Sequence, residues 1–116
     1  MGKASLAYGR GKIINAAALY NADALDGVWL DFRDPDGCRE ETKYVKTMGF
    51  KGRFAIHPDQ IKPIHDAYRP TSQELEWAKG VLEEAKTAGT GAFKYQGKMV
   101  DAPVLAVARQ IISRED

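Results

Sequence analysis

The chain has one cysteine, Cys38, among its 116 residues, so no internal disulfide can form and no cysteine-rich zinc site can be assembled from it. It has no window near the roughly 18 consecutive apolar residues that a membrane span needs. The opening Met1-Gly2-Lys3-Ala4-Ser5-Leu6 carries no long apolar core. Neither membrane insertion nor export is expected, and a reducing, cytoplasmic setting is. Charge of one sign is lacking too: Lys+Arg 17 against Asp+Glu 16, largely interspersed, leaves a net +1 and no nucleic-acid footprint. There is no internal repeat and no flexible Gly/Ser-rich linker. One domain at most is expected, since domains commonly run about 100 to 150 residues.

What the chain does have is a hydrophobic share of 44% with 28% charged residues, an ordinary balance for a folded chain. Ile13, Ile14, Ala17 and Ala18 share one face of a helix expected over about Arg10 to Asn21. A short apolar strand over Asp23 to Leu30 follows and ends at Asp31. Asp34-Pro35-Asp36-Gly37 is turn chemistry, opening a helix from about Asp36 to Met48 that Gly49 stops. Gly52 to Ile56 reads as a second strand, cut off by His57-Pro58, after which Pro58 suits the first turn of a short helix.

Thr71 and Glu74 have capping-box spacing, and Leu75, Ala78, Val81, Leu82 and Ala85 carry a helical stripe to Gly89. Residues 92 to 100 predict a hairpin around Gln96-Gly97, and Asp101 with Pro103 opens a last helix. Trp29, Phe32, Phe50 and Phe54 are core candidates. The basic run Lys43, Lys46, Lys51 and Arg53 reads as a solvated face. The two consecutive apolar strands, each followed by a helix, predict parallel strands whose polar corners lie at one end. Two parallel strands leave both outer edges unpaired, so the sheet reads as unfinished. An independent flavodoxin-like domain is disfavoured, because it needs about five such strands.

Four stretches carry a family resemblance: Ile14-Asn15-Ala16-Ala17-Ala18, Leu25 to Gly37, Gly49 to Ile61, and Gly97-Lys98-Met99-Val100-Asp101-Ala102-Pro103. In order and spacing they resemble the carboxyl-terminal third of the HpcH/HpaI aldolase and citrate lyase family, in particular its citrate lyase beta-chain-like and malyl-CoA lyase-like members. The resemblance implies an α/β fold that is part of a (β/α)₈ TIM barrel. Residues 1–70 would hold its last two strands with their helices, and residues 71–116 a helical extension with a small hairpin. It implies carbon–carbon bond cleavage of a coenzyme A thioester, of malyl-CoA or citryl type, giving an acyl thioester and a keto acid. The family's Mg²⁺ is held by acidic residues on earlier strands, which this chain lacks, so no metal ligand is assigned here. A homo-oligomer or a complementary barrel chain is the implied partner; the alternatives are a non-catalytic CoA-binding or interaction module and an inactive truncated lyase.

Residue by residue, Asp101 aligns with the family's acid/base aspartate. Spacing alone makes it an N-cap before Ala102-Pro103, and one residue can do both. Ile56, His57 and Pro58 align with contacts to coenzyme A, against the plainer reading of a helix-capping histidine. Asp31 is expected to line the mouth of the site, and Asp34 to serve its turn. Cys38 has no histidine companion in its motif and reads as a small buried packing residue, and His65 as surface.

Overall fold

The computed structural model describes residues 2–89 and 91–115, which form two compact units divided after Tyr68. The fold is α/β, mostly helical, with two small sheets. No described helix is long and apolar enough to cross a membrane.

The first unit runs α1 (Lys3–Leu19), β1 (Leu25–Asp26), α2 (Pro35–Met48), β2 (Gly52–Arg53), a 3₁₀ turn (Pro58–Gln60) and α3 (Ile61–Tyr68). Helix α1 begins before the expected Arg10, since Ala4, Leu6 and Ala7 are good helix formers. It ends where Asn21 turns left-handed, φ 52°, and the Ala22 N–H reaches back to the Ala17 carbonyl. Ile14 and Ala17 pack on a core of Ala24, Val45 and Phe50, whereas Ile13 faces outward. Asp34 caps α2 by accepting from the Gly37 N–H at 2.9 Å. Gly49 closes α2 at φ 113°, a conformation that a side chain would strain.

β1 and β2 pair in parallel, Leu25 opposite Gly52 and Asp26 opposite Arg53, but each strand is two residues long rather than the expected five to eight. The cause is visible at Gly27, whose carbonyl accepts from both Nε and Nη2 of Arg53, at 3.1 and 3.0 Å. A carbonyl held by a side chain is withdrawn from the ladder. The core reading holds for Phe50, 2% exposed, and fails for Phe54, 59% exposed, and for Phe32. Phe54 directly follows β2 and is exposed, as are Leu25 in β1 and Ile56 beyond β2.

The second unit comprises α4 (Ser72–Ala88), a hairpin of β3 (Phe93–Tyr95) and β4 (Lys98–Val100), and α5 (Ala102–Ser113). Thr71 Oγ1 accepts from the Glu74 N–H at 3.1 Å, which fixes the start of α4 as its spacing predicts. Gln96 and Gly97, both at positive φ, make the two-residue turn that matches strand twist. Ala78, Val81, Val100 and Ala108 form this unit's core, flanked by Trp77, Phe93, Tyr95 and Ile112. Gly80 is required by closeness: a Cβ there would run into the hydroxyl end of Tyr95.

Candidate functional site

The carboxyl ends of β1 and β2 lead into two corners that one side chain holds together. Gln60, 1% exposed, accepts from the Ile56 N–H at 2.9 Å and donates to the Trp29 carbonyl at 2.7 Å. A single amide thus satisfies one backbone group on each corner, where the ladder has already ended.

At the first corner Asp31 is exposed, and its Oδ1 accepts from the Arg33 N–H at 3.0 Å. This is the geometry by which an aspartate shapes its own turn. Among the described residues, the second carboxylate oxygen has no hydrogen-bond partner. At the second corner His57 precedes Pro58, and its Nδ1 accepts from the Asp59 N–H at 3.1 Å. That bond puts the proton of the neutral ring on Nε2. The ring stacks on Phe32, centroids 4.5 Å apart and planes 15° from parallel, and the Arg33 guanidinium lies 5.4 Å from the Phe32 centroid. The exposure of Phe32, a departure from its expected core role, gives the two corners a partly solvent-facing platform of planar groups.

Beneath β1 and β2 lies a charge cluster that the sequence reading passes over. Arg10 pairs with Asp26 at 2.9 Å and Glu41 at 3.5 Å; Arg53 pairs with Glu41 at 3.0 Å and Asp26 at 3.4 Å. Arg53 is 8% exposed, so the basic run is not wholly a solvated face. Burial alone would lower the Arg10 pKa, but the hydrogen bonds and charges of Asp26 and Glu41 outweigh it and raise it. Opposite charges at matching places in two apolar runs, Leu25-Asp26-Gly27 and Gly52-Arg53-Phe54, were the available signal. Cys38 is fully buried, and burial pushes its thiol up, with Arg53 partly opposing. A thiol held protonated is a poor nucleophile, in keeping with its reading as packing.

Asp101 belongs to the second unit, where it is exposed and caps α5, accepting from the Val104 N–H at 3.4 Å through Oδ1. Among the described residues, no group of three or more His, Cys, Asp or Glu is placed to hold a metal ion.

A family model described as C-C bond lyase of the TIM-barrel fold matches residues 12–116. The chain is 37% identical over 109 residues to mitochondrial citramalyl-CoA lyase of Rattus norvegicus, an alignment covering 91% of this chain and 32% of that protein. It is 37% identical over 114 residues to citrate lyase subunit beta of Escherichia coli K12, covering 96% and 38%. A crystal structure of Mycobacterium tuberculosis CitE in complex with magnesium, acetoacetate and coenzyme A superposes with a TM-score of 0.84 at 37% identity, covering 98% of this chain and 42% of that one. The chain thus spans about a third of the length of these curated relatives. With the whole of residues 12–116 matched, it belongs to the C–C bond lyases of the HpcH/HpaI aldolase and citrate lyase family.

Proposed function

We propose that this chain supplies the coenzyme A-binding rim and an acid/base carboxylate to a carbon–carbon lyase acting on acyl-CoA thioesters, as part of a (β/α)₈ barrel whose other strands come from elsewhere. The observation that carries the reading is the pair of strand-end corners clasped by Gln60 and faced by the Phe32–His57 stack. In barrels of this kind, ligands sit at the carboxyl ends of the strands. The CoA complex of the Mycobacterium tuberculosis relative supports it.

In this reading Ile56, His57 and Pro58 bind the nucleotide portion of the thioester. Pro58 holds the corner rigid, His57 offers its Nε2–H, and Phe32 keeps the imidazole plane fixed. Asp31 lines the mouth with its uncommitted oxygen. Asp101 works at the thioester α-carbon. In cleavage, the substrate hydroxyl gives up its proton to a base as its oxygen becomes the keto carbonyl and the C–C bond breaks. The bond's electron pair passes to the enolate, whose carbon takes a proton from Asp101, and the proton released from the hydroxyl restores the Asp101 carboxyl; condensation reverses both transfers. Divalent magnesium, the family's Lewis acid, would be held by residues outside this chain. A complementary chain would bring the remaining strands, and either it or a second copy would cover the exposed Leu25, Phe54 and Ile56. The physiological setting proposed is cytoplasmic.

Calorimetric titration of coenzyme A into the chain tests this. Binding that weakens about tenfold or more in both His57→Ala and Phe32→Ala supports the rim, since each loses roughly a stacking contact. Equal affinity in all three proteins rejects it. Tight CoA binding with no contribution to lyase turnover, when the missing strands are supplied, would favour a non-catalytic binding module.

A further inference from the structure

The second unit does not close over its own core. Trp77 of α4, Tyr95 and Met99 of the hairpin, and Val104 and Val107 of α5 wall a pocket of about 320 Å³, with the buried Val100 beside them. Trp77, Tyr95 and Val104 also flank the core around Val81 and Val100, so the pocket opens at the edge of packed side chains. Two of its walls stay in water: Met99 is 68% exposed and Val107 50%. The volume lies at the lower end of the range for small-molecule sites, whose walls are mostly apolar and aromatic with a few polar groups that orient the ligand.

Of the described residues lining it, Lys98 alone is charged, and it is exposed. Lys94 stands opposite Met99 in the hairpin register, and neither lysine has an acidic partner among the described residues. Acids on the adjoining elements do not balance them. Asp101 has its Oδ1 on the Val104 N–H, and neither it nor the α4 acids Glu74, Glu76, Glu83 and Glu84 line the pocket. An ammonium beside apolar walls selects charge as well as shape. We propose that this pocket binds a medium-chain alkyl carboxylate, its chain laid against Trp77 and the valines and its carboxylate at Lys98. A neutral chain forgoes the charge-assisted bond, and a cation meets Lys98 with like charge. The site does not rest on the thioester reading, since none of Asp31, Ile56, His57, Pro58 and Asp101 lines it.

The test titrates octanoate, butyrate and octylammonium into the ¹⁵N-labelled full chain and follows the indole N–H resonance of Trp77, distinguished from that of Trp29 by Trp77→Phe. A saturable shift with octanoate is expected. Butyrate should bind more weakly by about tenfold or more, since each buried methylene is worth roughly fourfold in affinity. Octylammonium should be weaker by about tenfold, and Lys98→Gln should cut that charge preference by about threefold or more. Val107→Phe, which fills the pocket from a half-exposed position without touching Lys98, should abolish the octanoate shift. A linear, non-saturating response, equal binding of butyrate or octylammonium, a charge preference unchanged in Lys98→Gln, or an octanoate shift retained in a folded Val107→Phe protein would overturn the proposal. So would displacement of octanoate by coenzyme A, or a Trp77 shift that follows protein concentration instead of octanoate, the mark of a second copy in the pocket. If Val107→Phe does not fold, the three probes on the unaltered chain decide alone.

Discussion

Gln60 reaches from the turn after β2 to the Trp29 carbonyl beyond β1, and its 2.7 Å bond joins two corners that share no ladder there. Its oxygen is committed at the same time to the Ile56 N–H. Gln60→Leu keeps the side chain's bulk but leaves one buried acceptor and one donor unpaired, at about 1–3 kcal/mol for each. Urea unfolding of the variant should show a lower midpoint at unchanged slope. A midpoint equal to that of the unaltered chain would mean that water satisfies both groups.

Asp26 touches both buried arginines. Replacing it with asparagine removes the anion and leaves surplus positive charge where the side chains are nearly dry. Loss of one partner from a buried pair commonly costs about 3–5 kcal/mol. Thermal unfolding of Asp26→Asn should therefore shift far more than that of Lys43→Ala, which breaks only the exposed pair with Glu40.

Cys38 makes a pH prediction. Burial raises its folded pKa above the ordinary value of 9.0, so the folded state keeps the proton that the unfolded chain loses. Its contribution to stability is complete below that value and is lost as pH rises through the folded pKa. Unfolding free energy measured from pH 8 upward should fall more steeply above 9.0 in the unaltered chain than in Cys38→Ala. Parallel curves would refute the assignment.

Asp101 has a structural duty separable from the chemical one proposed for it. Asn is as good an N-cap as Asp, while Ala forfeits the bond to the Val104 N–H. Asp101→Asn should hold its stability and Asp101→Ala should lose about 1 kcal/mol by chemical denaturation. Equal losses in both would assign the residue's stabilising effect to charge near the helix start rather than to the cap.

Much of this was legible in the sequence because it rests on local chemistry. Asp34, Gly49, Thr71, Gln96-Gly97 and Asp101 each mark a helix end or a turn by their own backbone preferences, and each stands where those preferences put it. Long-range pairing was less visible. Hydrophobicity predicted strands through Leu30 and Ile56, but the Arg53 side chain takes the Gly27 carbonyl and the ladder stops at Asp26 and Arg53. Phe32 looked like core by composition and instead faces His57, a partner 25 residues away that no local pattern names. The Arg10–Asp26–Glu41–Arg53 cluster draws on four separate elements, so the sequence reading took Arg53 alone, as part of a solvated face, and passed over the other three.

The most direct measurement is a map of backbone amide shifts as coenzyme A is titrated into the ¹⁵N-labelled chain. The account predicts saturable perturbations concentrated on Phe32, Arg33 and the Ile56 to Gln60 corner, with α4 largely unmoved. Perturbations scattered over both units, or gathered away from those two corners, would contradict it.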